Sequence, residues 1–197
     1  MLDRYFLPSV ERVGEYVPHV HQFKQAGNGD FGTIGFNRTC LNKIYILRDL
    51  AVSDAEFIIY SDCDVVILDR TADDIRIRIT GLDAIFQQDI DQACTGFFAF
   101  RPSEAMYLFF DRAIADFPIQ RNNDQVLMNL HMDMIQWSYL PRQYYNISFT
   151  TGRKLYNKGD RTEIPGRLRV FHANWTMGIS NKYELLKLAL QSHGITD

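Results

Sequence analysis

Blocks of apolar and polar residues alternate along the chain and predict strands and helices in turn. An unbroken apolar run at 57–60 predicts a central strand covered on both faces, and a second run follows at 65–68. Helical spacing of apolar residues marks 38–50, 103–117, 122–134 and 182–192. Further strand patterns lie at 17–23, 83–89, 95–101, 136–141 and 167–173. This order predicts one α/β domain over residues 1–197, with a mostly parallel central sheet flanked by helices.

Three shorter features are less regular. Residues 73–80 alternate like a strand, although their position between other elements also suits a short helix. The glycine-rich segment 25–37 predicts a loop, either a plain surface loop or one whose backbone lies close to a ligand. Ser103 is predicted to cap the helix at 103–117, and Asn122 or Asn123 the helix at 122–134.

Composition narrows the class of protein. A net charge of −3 gives no basic field for nucleic acid or an anionic membrane. No window is apolar over the roughly 18 residues of a membrane-spanning helix, and the first residues do not read as a signal peptide. Three widely spaced cysteines, Cys40, Cys63 and Cys94, fit reduced thiols. We therefore expect a cytoplasmic protein without a nucleic-acid partner or a membrane span.

Two acids, Asp62 and Asp64, interrupt the apolar stretch at 57–68. On a strand, residues i and i+2 point to the same side. Two carboxylates about 5 Å apart repel by roughly 3 kcal/mol at an effective dielectric near 20. Ligands of α/β sheets bind beyond the carboxyl ends of strands, which is where these acids fall. A bound group that offsets the repulsion is therefore expected.

The acid pair allows three interpretations. A Mg²⁺ or Mn²⁺ ion between the carboxylates would turn repulsion into attraction and keep positions open for a diphosphate, which suits the activation of a nucleotide sugar. Alternatively, Asp62 is the nucleophile of a haloacid-dehalogenase-like phosphatase, because residues 62–66 fit the pattern D-x-D-x-[TV]. Thirdly, the acids only end a strand or cap the next element.

Several segments taken in order resemble the GT-A glycosyltransferases. They are Asn42 with Lys43, SDCD at 61–64, FQQD at 86–89, TGFFAFRPS at 95–103, NNDQ at 122–125 and FHANWTMGISNK at 171–182. Between about residues 36 and 186 the chain is similar to the nucleotide-diphospho-sugar transferase type, and distantly to the glycogenin-like group. The resemblance implies metal-dependent transfer of a sugar, from a UDP-sugar by family default or a GDP-sugar, to a hydroxyl of a glycan acceptor.

The resemblance also assigns roles around the metal and the diphosphate. It implies that Asp64 binds Mn²⁺ or Mg²⁺ directly, and that Asp62 binds the ion or its water and touches the ribose. His172 would be the third protein ligand. Lys182, which follows a turn containing Gly178, would contact the diphosphate. Lys43 and Arg38 are second-choice partners of the phosphates or the acids.

Asp89, Asp124 and Gln125 are implied to lie around the transferred sugar. In a retaining reaction such side chains would stabilise an oxocarbenium-like state, and in an inverting one a carboxylate would act as the base on the acceptor hydroxyl. Both outcomes stay open at this point. A sugar-binding module without turnover is the non-enzymatic alternative.

The chain departs from the family pattern in two places. Cys94 precedes Thr95 and Gly96 where the family often has asparagine, so a sugar contact from that position is in doubt. The chain also opens at residues 2–10 with a helix-like pattern, whereas GT-A domains usually open with a strand. Two interpretations stay open: either the usual first strand is absent from this chain, or the opening residues form it despite their helix-like pattern.

Overall fold

The computed structural model describes residues 1–24, 31–152, 154–157, 159–160 and 162–195. A π-helical turn, Leu2–Phe6, leads into α1 (Leu7–Val13), and a 3-10 turn at Met132–Met134 follows α5. The other helices are α2 (Ile34–Leu50), α3 (Ala72–Arg78), α4 (Glu104–Gln120), α5 (Asp124–Asn129), α6 (Ser148–Thr151) and α7 (Ile179–Ser192). The strands are β1 (Ile58–Ser61), β2 (Val65–Ile67), β3 (Ala84–Asp89), β4 (Gln92–Phe100), β5 (Trp137–Tyr139), β6 (Tyr144–Asn146) and β7 (Val170–His172).

The predicted α/β architecture of sheet flanked by helices is confirmed, but the strands form two sheets that are mixed rather than mostly parallel. One sheet has the order β1-β4-β3-β5 and the other β2-β7-β6. Strands β3 and β4 are joined by only Ile90 and Asp91, and a connection that short allows only antiparallel pairing. β4 therefore runs against both of its neighbours, and among the strands of the described residues the parallel pairs are β3–β5 and β6–β7.

The predicted central strand at 57–60 lies at a sheet edge instead. Strand β1 pairs with β4 alone, and its residues are only half-buried. The apolar run reflects packing: Ile58 and Tyr60 cover the core that lies against α2 and α4. The chain then leaves this sheet, and β2 joins the other one through β7. Residues 62–64 thus lie where the two sheets meet.

Two large apolar clusters hold the elements around this junction. One packs the four-stranded sheet against α2, α4 and α5 and includes Phe86 and Phe98, whose stacked rings have centroids 4.9 Å apart. The other packs β2, β6 and β7 against α7, with Leu185 and Leu186 fully buried. Among the described residues, no helix combines the length and apolarity needed to cross a membrane.

Side-chain N-caps mark the starts of three helices. Ser103 accepts from Met106 N at 3.2 Å, as predicted, and Asn123 accepts from Val126 N at 3.0 Å. Helix α2 begins earlier than predicted because Thr33 caps Phe36 N, so residues 34–37 of the glycine-rich loop are helical. Residues 25–30 of that loop lie outside the described residues.

Residues 73–80, which the sequence left open between strand and short helix, contain most of helix α3, which ends at Arg78. The helix at 122–134 is shorter than predicted, because α5 ends at Asn129. The prediction of a strand at 17–23 is wrong, because this segment pairs with no strand in the described part of the chain and leaves Val17 and Val20 exposed. The short elements β6 and α6 carried no predicted pattern.

Candidate active site

Three side chains converge where the sheets meet. Asp62 N donates to Gly96 O at 2.7 Å, which ties the first acid to β4, and Ala173 N donates to Asp64 O at 2.9 Å, which ties the second to β7. One ligand atom from each of Asp62, Asp64 and His172 lies within 4.8 Å of the other two. The structure therefore brings together the three side chains that the sequence predicted as metal ligands.

A bulge in β4 forms the floor of this cluster. Opposite Phe86 and Gln87, the register on β4 jumps from Phe98 to Cys94, so residues 95–97 are extra residues on that strand. A Cβ at Gly96 would lie 2.2 Å from His172 Cε1 and 2.8 Å from Asp62 Oδ2. A side chain at that position would have to displace both groups. Two carboxylates and an imidazole that converge over a bare backbone are a set of donors for a divalent metal ion.

The charge of Asp64 is balanced by two cations. Lys182 Nζ lies 2.5 Å from Oδ2, and His172 Nε2 lies 3.4 Å from Oδ1. Burial alone would raise the pKa of Asp64, but Lys182 and His172 outweigh it and hold that pKa well below its usual range. Burial alone would lower the pKa of His172, yet the Asp64 carboxylate raises it to about 10.

A second buried ion pair lies behind Asp62. Lys43 Nζ is 2.5 Å from Asp124 Oδ2, 3.5 Å from Asp62 Oδ1 and 2.8 Å from the carbonyl of Thr95. Burial opposes the charge of Lys43, but Asp124 and Asp62 raise its pKa well above its ordinary value. Burial likewise opposes ionisation of Asp124, and Lys43 lowers its pKa. Lys43 therefore joins two predicted site acids, and Tyr60 donates to Asp62 Oδ1 at 2.6 Å.

We expect Lys43→Met to lower the free energy of unfolding by about 3–5 kcal/mol, because it leaves the Asp124 carboxylate buried and unpaired. Arg76→Met is the matched control. Arg76 pairs with Glu56 and Asp73 at the surface, where its side chain is 48% exposed and such pairs contribute about 0–1 kcal/mol. Urea denaturation measures both changes. Equal losses in the two variants would contradict the importance given to the buried pair.

The predicted sugar-side residues form a linked group. Gln125 Nε2 donates to Asp89 Oδ2 at 2.9 Å, and Trp175 Nε1 donates to Asp89 Oδ1 at the same distance. Gln125 Oε1 accepts from the backbone N–H of Thr95 at 3.3 Å. Since Thr95 also donates to Asp124 at 2.5 Å, the group connects to the Lys43 ion pair. Asp89, Gln125 and Asp124 thus lie beside the acid cluster.

The two remaining predicted residues are Gly178, which lies just before helix α7, and Arg38, which lies on helix α2. Gly178 precedes α7 with φ 82°, a left-handed conformation that suits glycine, and Lys182 is on the first turn of that helix. Arg38 is exposed on α2. It stands five residues from Lys43, about 140° away around the helix. Its contact with phosphates stays a prediction.

Sequence reasoning did not single out three groups at this site. Gly96 belongs to the motif at 95–103, but its steric role depends on the bulge in β4. Gln87 is fully buried although the strand turns polar there, with Gln88 and Asp89 after it, so the sequence did not mark it as buried. The side-chain amide of Asn174, two residues after His172, is buried, and neither of its polar atoms has a partner among the described residues.

Residues 2–186 match the family model described as nucleotide-diphospho-sugar transferase. The chain belongs to the nucleotide-diphospho-sugar transferase family. This confirms the resemblance inferred from the ordered motifs, and it favours the sugar-transferase interpretation of the acid pair over the phosphatase one. No curated protein is similar enough in sequence to count as a match.

One solved glycosyltransferase structure shares the fold of this family member. The glycosyltransferase GlyE of Streptococcus pneumoniae TIGR4 has a TM-score of 0.56 at 14% identity, over 79% of this chain and 43% of GlyE. This chain thus spans less than half of GlyE, and at that identity the likeness shows the fold alone. The galactosyltransferase LgtC, solved with donor and acceptor sugar analogs, has a TM-score of 0.48 at 11% identity, covering 81% of this chain and 68% of LgtC.

Proposed function

We propose that this protein transfers a sugar from a nucleoside-diphosphate sugar, a UDP-sugar in the first instance, to a hydroxyl of a glycan acceptor with the help of Mn²⁺ or Mg²⁺. The observation that carries the proposal is the convergence of Asp62, Asp64 and His172 over the backbone of Gly96. Membership of the nucleotide-diphospho-sugar transferase family supports the donor class. All three cysteines are free thiols, which supports a cytoplasmic location.

The chain's own groups divide the work on the diphosphate side. Asp62, Asp64 and His172 would hold the divalent ion, which when bound would stabilise the negative charge on the departing nucleoside diphosphate. Lys182 is the cation beside Asp64, and we assign it to the phosphate oxygens. Gly178 is the N-cap of the helix that carries Lys182. We therefore assign its backbone to the diphosphate as well.

On the sugar side, we assign Asp89 and Gln125 to the transferred sugar. Their hydrogen bond to each other and the bond from Trp175 to Asp89 fix both side chains in place before a substrate binds. Asp124 is held by Lys43 and by the hydroxyl of Thr95, so its carboxylate stays ionised at the edge of the sugar site. Lys43 contributes a positive charge next to both Asp124 and Asp62, which offsets the repulsion between their carboxylates.

Thermal denaturation with a panel of nucleoside diphosphates tests the proposal. UDP with Mn²⁺ is expected to raise Tm more than UDP alone or Mn²⁺ alone. A ligand at about 100 times its Kd stabilises the folded state by about 2.7 kcal/mol, which gives the size of the expected effect. The absence of a shift with every nucleotide, under saturating Mn²⁺ or Mg²⁺, would contradict the proposal. Phosphate release from an aryl phosphate in Mg²⁺, lost in Asp62→Asn, would instead support the phosphatase.

A further inference from the structure

Gln87 is a polar side chain in a place that favours apolar ones. It lies in the middle of β3, is fully buried, and has apolar Ile85 and Phe86 before it in the strand. A buried amide without hydrogen-bond partners carries a free-energy cost, because it has lost its bonds to water. Gln87 avoids this cost by bridging two groups, and one of them is His172.

The two hydrogen bonds of Gln87 determine which way its amide faces. Nε2 donates to the carbonyl of Tyr145 at 3.0 Å, and a carbonyl can only accept. The amide oxygen, Oε1, therefore faces the other way, 2.9 Å from Nδ1 of His172. Since Oε1 can only accept, the ring nitrogen Nδ1 has to carry the hydrogen of this contact.

The opposite ring nitrogen faces the acids. Nε2 of His172 lies 3.4 Å from Asp64 Oδ1, and both Nε2 and Asp62 Oδ2 lie 2.8 Å from the position of a Cβ on Gly96. Cys94 Sγ lies 3.6 Å from Nδ1, and Cys94 stands directly across from Gln87 in the β3–β4 register. Because sulfur is a weak hydrogen-bond partner, the amide oxygen of Gln87 governs Nδ1.

We propose that Gln87 is a positioning residue: by accepting the hydrogen of Nδ1 it keeps that hydrogen in place when His172 gives up the Nε2 proton on metal binding, and so presents the lone pair of Nε2 to a divalent ion between Asp62 and Asp64. The inference rests on the proposed function and deepens it. Outer partners of this kind orient a metal-binding histidine and raise its basicity as a ligand. The bulge makes the arrangement possible, because it brings Gln87 opposite Cys94 and lifts Gly96 under the same ring.

The test compares Gln87→Leu, Gln87→Glu and the control Gln88→Leu. Leucine removes the acceptor for Nδ1–H, whereas glutamate keeps one. Gln88 is the next residue of the strand, and its amide bonds to the carbonyl of Ile90 instead. Binding of Mn²⁺ in the presence of UDP is followed by electron paramagnetic resonance. Ring ¹⁵N shifts of His172 in the Mg²⁺–UDP complex report the tautomer, with a His172→Asn spectrum for assignment.

We expect Gln87→Leu to weaken Mn²⁺ binding by about 10- to 100-fold and to lose the Nδ1–H signature seen in the wild type. Gln87→Glu should recover most of the affinity, and Gln88→Leu should match the wild type. If Gln87→Leu does not fold, Gln87→Asn, whose amide is withdrawn by one methylene, gives the same prediction.

Two outcomes separate the inference from the function on which it rests. Wild-type protein that binds no Mn²⁺ with any nucleoside diphosphate contradicts the proposed function. Wild-type protein that binds Mn²⁺, together with a folded Gln87→Leu variant of unchanged affinity, overturns the role of Gln87 alone. Protonation of Nε2 rather than Nδ1 in the wild-type Mg²⁺ complex overturns it as well.

Discussion

Asp64→Asn is expected to abolish Mn²⁺-dependent binding of UDP while the protein stays folded. Asparagine keeps the shape of the side chain, but it removes the charge that faces both His172 and Lys182. Outer partners of metal ligands alone are worth about 10- to 100-fold in affinity, so loss of a carboxylate ligand should exceed about 100-fold. Calorimetric titration of UDP at fixed Mn²⁺ measures the change, and circular dichroism confirms the fold.

Asp69→Asn is the control for this substitution. Asp69 is a surface carboxylate with a side chain 66% exposed, and it lies beyond the strand that follows the acid pair. It should bind UDP and Mn²⁺ like the wild type. An Asp64→Asn variant with unchanged Mn²⁺-dependent affinity would remove Asp64 from the candidate metal site.

Gly96→Ala is expected to be the most damaging single-methyl change at the site. Its Cβ would meet His172 Cε1 at 2.2 Å and Asp62 Oδ2 at 2.8 Å, so two of the three candidate ligands have to move. Overpacking of this kind costs about 1–3 kcal/mol of stability. We expect this loss together with a fall in Mn²⁺ affinity comparable to that of Asp64→Asn, measured by urea denaturation and by the same calorimetric titration.

Gly166→Ala is the matched control for the glycine substitution. A Cβ at Gly166 would meet nothing within 4 Å, and its φ lies outside the left-handed region. Surface substitutions of this kind change stability by no more than about 0.5 kcal/mol. If Gly96→Ala were as stable as Gly166→Ala and bound Mn²⁺ equally well, the described approach of Gly96 to His172 would be wrong.

The ordered motifs in the sequence were sufficient to recognise the family and to name the cluster of Asp62, Asp64 and His172. They were sufficient because their order along the chain resembles that of the family. The hydrophobic pattern alone placed the acids after an apolar strand and did not connect them to His172. Strand direction was not predictable in the same way. An apolar run reports burial and not pairing, so the edge position of β1 and the antiparallel course of β4 became visible only in the fold.

The supporting groups depend on contacts between distant parts of the chain. The pairing of Lys43 with Asp124 joins α2 to the start of α5, and no local pattern predicts it. Gly96 and Gln87 reach His172 only because the register of β3 and β4 shifts between Phe86 and Gln87. A bulge of this kind is set by packing on both sides of the sheet, and the alternation of residues along one strand does not reveal it.

We propose that this chain activates a nucleotide sugar with a divalent ion held by Asp62, Asp64 and His172. The release of UDP from UDP-sugars, measured in Mn²⁺, after addition of a chelator, and in Asp64→Asn, tests this proposal. We expect UDP release by the wild type in Mn²⁺, accelerated by a suitable glycan acceptor, and none in the chelated protein or the variant. Release that is unaffected by the chelator, or no release from any nucleotide sugar with any acceptor, would contradict the proposal.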